Sequence, residues 1–281
     1  MNPQILRLVA GLALSVLIGA VAHRKQALSG SGVIGAILTG TGIFGFGGWT
    51  WGLTLIAFFV YGTLLSRFKE KQKESLAAEK FEKGSRRDLG QALANGGAGA
   101  ILAALYFFSP ASQWLFAGFI GAMATVNADT WATELGVLSR QSPRLITNGR
   151  KVAPGTSGGI TLLGTLATTL GGLAIGLTVW LLLLGRTWLQ PGTGWSGFWW
   201  VLPAATMAGL VGSLADSLMG ATVQAMYSQA QSGKETEKKF DRQGQPNTFR
   251  RGWRFMNNDA VNFSSSAIGA TAAIAFYLLL V

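Results

Sequence analysis

The 281-residue chain is 49% hydrophobic and only 12% charged, about half the charged fraction usual in soluble domains, and its mean hydropathy of +0.36 describes a polytopic membrane protein. With no cysteine and a single histidine, His23, it cannot form disulfides, thiolate or multi-histidine metal sites, iron–sulfur clusters or a cysteine nucleophile; metal chemistry must use oxygen donors, which suit magnesium. Lys and Arg outnumber Asp and Glu 23 to 12, a formal charge of +11, and such an excess fits nucleic acid, anionic lipid or phosphorylated substrates, depending on where the charges sit.

The opening run "ILRLVAGLALSVLIGAVAHRK" carries its basic residues mainly after the apolar stretch and lacks a small-residue cleavage site. It therefore reads as a retained first helix, not a signal peptide. Stretches long enough to cross a bilayer, which takes about 20 residues, follow at roughly 4–22, 31–48, 49–66, 91–109, 112–130, 159–185, 197–224 and 263–281. The expected fold is an all-α membrane bundle of about eight helices in a single catalytic domain. Its polar loops fall near 67–90, 135–158 and 225–262. The second and third spans are Gly-rich and equally compatible with a re-entrant hairpin or two short helices.

All of the 23 Lys and Arg except Arg7 and Arg186 fall in the loops after the first, third, fifth and seventh spans. The positive-inside rule then places those loops in the cytoplasm and both termini outside. Much of that charge serves topology and attraction to anionic headgroups. The 67–87 loop, where Lys alternates with Glu70, Glu74, Glu79 and Glu82, reads as a solvated helical connector. The loop at 228–254 reads as polar and mobile, and the tryptophans of "GWTWG" and "GWSGFWW" as interfacial belts.

Seven of the twelve acids lie in those loops; Asp88, Asp129, Glu134, Asp216 and Asp259 sit instead at the basic ends of spans. An ionisable group there is costly and marks a functional candidate. Helical spacing puts Asp88, Gln91 and Asn95 on one face; Ser213, Asp216 and Ser217 on another; Asp259, Asn262 and Ser266 on a third; and Asn127, Thr130 and Glu134 on a fourth. Small and hydroxyl residues in these stripes serve helix packing, but packing needs no anions. Steps of about 100° per residue separate Asp129 and Glu134 by about 140°. Either the helix unwinds there or only one of them, Asp129 by preference, binds metal directly.

Beyond Glu134 the chain passes through Arg144, Arg150 and Lys151 into Gly155, Thr156, Ser157, Gly158 and Gly159 before the sixth span. A bare Gly-rich turn opening a helix offers N–H groups to phosphate. The lysine precedes the glycines, so this is not a Walker A loop. Taken alone, "PGTSGG" is ordinary capping chemistry; beside carboxylates it completes the parts needed for phosphoryl transfer. "NADTWATELG" and "LADSLMGATV" share Ala-Asp-Thr/Ser near the ends of two spans and suggest two related helix ends facing one site.

Together "RRDLGQALANGG", "NADTWATELG", "SPRLITNGRKVAPGTSGG", "GSLADSLMGA" and "NNDAVNF" resemble, in order and over essentially the whole chain, the integral-membrane family of phytyl-phosphate kinase and transmembrane protein 19. A more distant likeness is to polyprenol kinases and CDP-diacylglycerol synthases. The resemblance implies a CTP-dependent kinase that converts an isoprenoid monophosphate to the diphosphate, in phytol salvage for tocopherol synthesis. It implies a plasma or thylakoid membrane of a bacterium, a cyanobacterium foremost, with the site facing the cytoplasm.

On this reading the partners are a nucleotide and a prenyl-phosphate lipid, not nucleic acid, and a homo-oligomer stays open. Asp129, Glu134 and Asp216 would hold Mg2+, while Asn95, Asn127, Asn258, Asp259 and Asn262 orient those ligands or the nucleotide. Arg144, Arg150, Lys151 and the glycine turn at Gly155, Thr156, Ser157 and Gly158 would bind phosphates, with Asp129, Asp216 and Lys151 closest to the chemistry. The alternatives are a lipid cytidylyltransferase or polyprenol kinase and, from another class, an ion-coupled transporter, whose acids belong near the bilayer midplane.

Overall fold

A computed structural model describes residues 3–77, 86–189, 198–229, 233, 235–241 and 243–281. Its long helices follow the apolar runs: α1 (Pro3–Arg24), α2 (Gly30–Gly42), α3 (Trp49–Arg67), α5 (Leu89–Phe108), α6 (Gln113–Gly136), α7 (Leu162–Leu189), α8 (Val201–Thr222) and α9 (Asn258–Leu280), with a short α4 (Glu70–Ala77) between α3 and α5. The Gly-rich stretch is not a re-entrant hairpin. α2 runs on through a π-helical turn (Ile43–Gly47) to give 18 residues, and α3 supplies 19. Gly48 between them has φ +89°, a backbone that a Cβ would strain.

Side-chain caps start α2, α5 and α9, as well as α7. Ser29 accepts from the Gly32 N–H at 3.0 Å and Asn257 from the Ala260 N–H at 2.9 Å. Asp88 forms a reciprocal capping box with Gln91, so this acid has a structural task at the start of α5. α9 begins five residues earlier than its hydropathy suggests, which puts Asn258, Asp259 and Asn262 on its first turns, not in a loop.

Among the described residues, seven helical stretches are long and apolar enough to cross a membrane. α6, at 24 residues, is long enough but carries Asn127, Asp129 and Glu134. It packs against α3, α5, α7, α8 and α9, and its residues 115–128 are all buried. Sheathed by other helices, it has no need of a surface that lipid would accept. The close packing depends on small residues. A Cβ at Gly121 would meet the backbone of α9, at Gly171 that of α6, and at Gly209 the Cα of Gly172. Thr125 adds a hydroxyl donated to the Ala208 carbonyl at 3.0 Å.

The core is aromatic toward the other end of α6. Trp51 stacks on Phe119 at 4.3 Å and packs on Tyr106 and Phe116. Trp51 and Trp200, each 3% exposed, are therefore core residues and not belt residues, whereas Trp49 and Trp199 are exposed; Trp195 lies outside the described residues.

Two loops carry small antiparallel sheets. β1 (Arg144–Leu145) pairs with β2 (Gly159–Ile160), and β3 (Met226–Ser228) lies between β4 (Glu235–Thr236) and β5 (Thr248–Arg251). The expectation of a mobile 228–254 loop is corrected to that extent. Arg251 ties the sheet down, donating to Glu235 at 2.8 Å and to the carbonyls of Gly220 and Ala221 at the end of α8.

The connector also differs from expectation. Lys73 on α4 is buried and donates to the Leu65 and Ser66 carbonyls, at 2.6 and 3.0 Å, and to Glu134 of α6. Ser66 donates to the other Glu134 oxygen at 2.5 Å. Lys80, Lys83, Glu79, Glu82, Lys234 and Arg242, read as solvated loop charges, lie outside the described residues.

Two stability measurements check this arrangement. Trp51→Ala removes a buried, stacked side chain and is expected to cost about 3–5 kcal/mol in denaturant titration in detergent. Lys73→Met strands the Glu134 charge and is expected to cost about 3 kcal/mol, whereas Lys73→Met with Glu134→Leu recovers most of it; equal losses in single and double variants would show that the pair is not coupled.

Candidate functional site

At the end of the bundle where α3, α6 and α8 finish and α5, α7 and α9 begin, the helices part around a cavity of about 410 Å³. α6 and α8 form one wall. Asp129 and Asp216 line it and act on each other electrostatically. Ser213 donates to Asp129 at 3.3 Å, and Ser265 of α9, whose hydroxyl donates to the Asn262 carbonyl at 3.0 Å, lies close to Asp216. The Asp216 Oδ2 is buried and has no hydrogen-bond partner among the described residues. Two carboxylates brought together, one with an oxygen lacking a donor, fit a hard divalent cation of the kind held by one or two carboxylates plus substrate phosphates. Asn95, Asn258 and Asn262 complete the polar lining.

Glu134 does not join the pair. α6 stays helical through Gly136, so Glu134 diverges from Asp129 toward Lys73 and Ser66, which occupy both its oxygens. Among the described residues no three acid or histidine side chains are placed to hold one metal ion. The expected three-acid set is thus not assembled in one place: of the three, Asp129 and Asp216 come together and Glu134 does not.

The opposite wall carries Arg87 and the Lys73–Glu134 ion pair. Lys73 lines it from α4, and Arg87, just before α5, lies with its guanidinium 5.3 and 5.5 Å from the Phe58 and Phe59 rings. Burial pulls the Arg87 pKa below its ordinary value, and the charge of Glu134 pushes it back up. Neither cation stood out in the sequence, where both belong to a loop rich in Lys and Arg. The only local signal is the position of Arg87 directly ahead of the Asp88 cap.

Gly155, Thr156, Ser157, Gly158 and Gly159 form a third side. This turn does not open α7, because β2 intervenes and Thr161 takes the capping role, accepting from the Gly164 N–H at 2.9 Å. It is fixed instead to α8. Gly158, at φ +80°, lies so close that a Cβ would enter the backbone of Ala221. Ser157 donates to Gln224 at 2.6 Å, and Gln224 donates to Glu237 at 2.9 Å. Gln224 and Glu237, also missed from sequence, line the cavity.

Several expected site residues lie elsewhere. Arg144, Arg150 and Lys151 are exposed and do not line the cavity. Their hairpin turns at Gly149, with Arg144 donating to the Gly149 carbonyl at 2.9 Å, which holds the charges on the outer surface. Asn127 is fully buried and donates to the Gly171 carbonyl at 2.7 Å, an α6–α7 packing bond outside the cavity. Asp259 does not line the cavity although its neighbours on α9 do.

The sequence has recognisable relatives. A family profile described as "Integral membrane protein DUF92" matches residues 13–270. The chain is 30% identical over 276 residues to "Uncharacterized membrane protein MJ0933" of Methanocaldococcus jannaschii, covering 98% of this chain and 97% of that one. It is 34% identical over 238 residues to "Protein PGR" of Arabidopsis thaliana, covering 79% and 81%. With "Protein VTE6, chloroplastic" of the same plant it shares 27% over 251 residues, 88% of this chain and 64% of that one. No solved structure matches. The profile spans nearly the whole chain, in agreement with the resemblance carried by its ordered motifs: this protein belongs to the DUF92 family of integral membrane proteins.

Proposed function

We propose that this protein is a kinase that uses CTP to phosphorylate an isoprenoid monophosphate, of the phytyl-phosphate type, to the diphosphate at the cytoplasmic face of its membrane. The observation that carries the reading is the polarity of the cavity: the Asp129–Asp216 pair on one wall, Arg87 and Lys73 on the other, and the 155–159 turn beside them. Such a cavity suits polyanions that repel each other and need screening and alignment. The family resemblance supplies the substrate class and the nucleotide.

In the transfer an oxygen of the acceptor phosphate forms a bond to the γ-phosphorus of the nucleotide while the bond to the β,γ-bridging oxygen breaks and CDP leaves. The acceptor is already an anion, so no strong general base is needed. Asp129 and Asp216 would hold Mg2+, which when bound offsets charge on the nucleotide phosphates. Ser213 orients Asp129, and Ser157 with Gln224 holds the glycine turn in register with α8. Arg87 receives the negative charge that gathers on the opposite side, while Lys73, its donors taken by Leu65, Ser66 and Glu134, holds that wall in place. Asn95, Asn258 and Asn262 offer amides to the nucleotide or to water around the cation. A transporter reading is less favoured because Asp129 and Asp216, in the C-terminal thirds of α6 and α8, face a cavity toward one end of the bundle that also holds Arg87 and the 155–159 turn.

The deciding experiment is product analysis with CTP and phytyl phosphate in liposomes. CDP release with formation of the prenyl diphosphate supports the kinase; pyrophosphate release with a cytidylylated lipid would replace it with the cytidylyltransferase. Asp129→Asn and Asp216→Asn are each expected to lower kcat on the order of a hundredfold or more, and full activity in both would remove the role given to the acid pair.

A further inference from the structure

A second pocket, about 90 Å³, lies between α1, α2, α3 and α5. Its wall is almost wholly apolar, with Leu14, Ile18, Phe44 and Leu55 among its side chains. Arg87, Gln91 and Asn95 are shared: the same three residues also line the larger cavity. They are spaced four apart, so one side of α5 and the residue leading into it form the partition between a hydrocarbon space and a polar one.

Arg87 marks the junction. Its Nη1 is buried and has no hydrogen-bond partner among the described residues. Its guanidinium rests against the Phe58 and Phe59 rings, both of which belong to the apolar pocket. On α3 the absence of a side chain at Gly62 makes room for it, since a Cβ there would strike the guanidinium. The carboxylate that acts on it, Glu134, is already paired with Lys73. A buried guanidinium N–H without an acceptor is costly, and a phosphate oxygen is the acceptor its planar fork fits best.

We propose that the apolar pocket takes the phosphate-proximal part of a single isoprenoid chain, and that Arg87 holds the attached phosphate where the pocket opens into the acid-lined cavity. This rests on the prenyl-phosphate kinase reading and assigns the acceptor subsite. One head and one tail are what the geometry asks for. Free phosphate leaves the apolar space unused, and a pocket of about 90 Å³ suits one chain better than the two of a diacyl phospholipid. With the phosphate at Arg87, the acceptor oxygen lies in the same cavity as Asp129 and Asp216.

The test is direct binding by calorimetry, using the full-length protein in detergent without nucleotide and geranylgeranyl monophosphate as the probe. Geranylgeraniol and CTP are titrated separately. Ala36→Phe, which fills the apolar pocket, is expected to weaken the lipid phosphate at least tenfold while leaving CTP affinity within twofold. Arg87→Gln is expected to weaken the lipid phosphate at least tenfold without changing geranylgeraniol, and Arg87→Lys to recover part of the loss. Thermal melting of each variant reports folding, and Ala36→Phe carries the test if an Arg87 variant does not fold.

Wild-type binding of the lipid phosphate that is unchanged in Ala36→Phe and Arg87→Gln would overturn the subsite while leaving the kinase reading in place. Lipid-phosphate binding sensitive to both variants, in a protein that neither binds nor turns over CTP, would support the subsite and overturn the kinase. No binding of the lipid phosphate to wild type would overturn both.

Discussion

Hydrocarbon offers no partner to an amide or a carboxylate, so a membrane-length helix carrying Asn127, Asp129, Thr130 and Glu134 is tolerated only where protein covers it. α6 is that helix, and the rest of the bundle is arranged around it. Five other helices pack on α6, while α1, with a mean hydropathy of 2.3, is the most apolar of the spans and lies at the edge. The enclosed α6 is the long helix that falls outside the set of apolar spans. The acids at the end of α6 are affordable because the helix never meets the bilayer along its middle.

Covering α6 closely requires removing side chains from its neighbours. Gly121, Gly171, Gly209 and Gly212 each lie where a Cβ would collide with the facing helix. The same close approach brings the ends of α6 and α8 together, so that Asp129 and Asp216 interact and Ser213 reaches across from one to the other. Packing and site are therefore one construction. Where the helices diverge, they leave a cavity with the acid pair of α6 and α8 on one wall and, on the other, Arg87 at the entry to α5 beside the Lys73–Glu134 ion pair. The glycine turn, fixed to α8 through Gly158, Ser157 and Gln224, keeps its position relative to that acid pair.

Legibility followed range. Hydropathy is a local property, so the eight apolar runs were visible, with errors confined to ends such as the start of α9. The acid pair was legible because a carboxylate at the end of an apolar run is costly wherever it occurs. Glu134 was half legible: five residues on a regular helix already set it apart from Asp129, but its partner, Lys73, lies 61 positions away. The amides were not separable. Asn95 and Asn127 sit in similar Gly/Ala contexts, yet one faces the cavity and the other the Gly171 carbonyl.

The basic residues show the limit most clearly. In the sequence Arg87 and Lys73 are loop cations indistinguishable from their neighbours, while Arg144, Arg150 and Lys151 stand beside a glycine turn that invites a phosphate. The fold reverses the two groups: a tight hairpin holds the latter on the surface, and α4 and the α5 cap bring the former inside. Composition, hydropathy and helical spacing by themselves determined the membrane class, the helices and the two acid-bearing ends, because each rests on free energies counted over neighbouring residues. Only the tertiary structure decided which cations meet those acids and which apolar space opens beside them, because charge pairing and cavity shape depend on residues far apart in the chain.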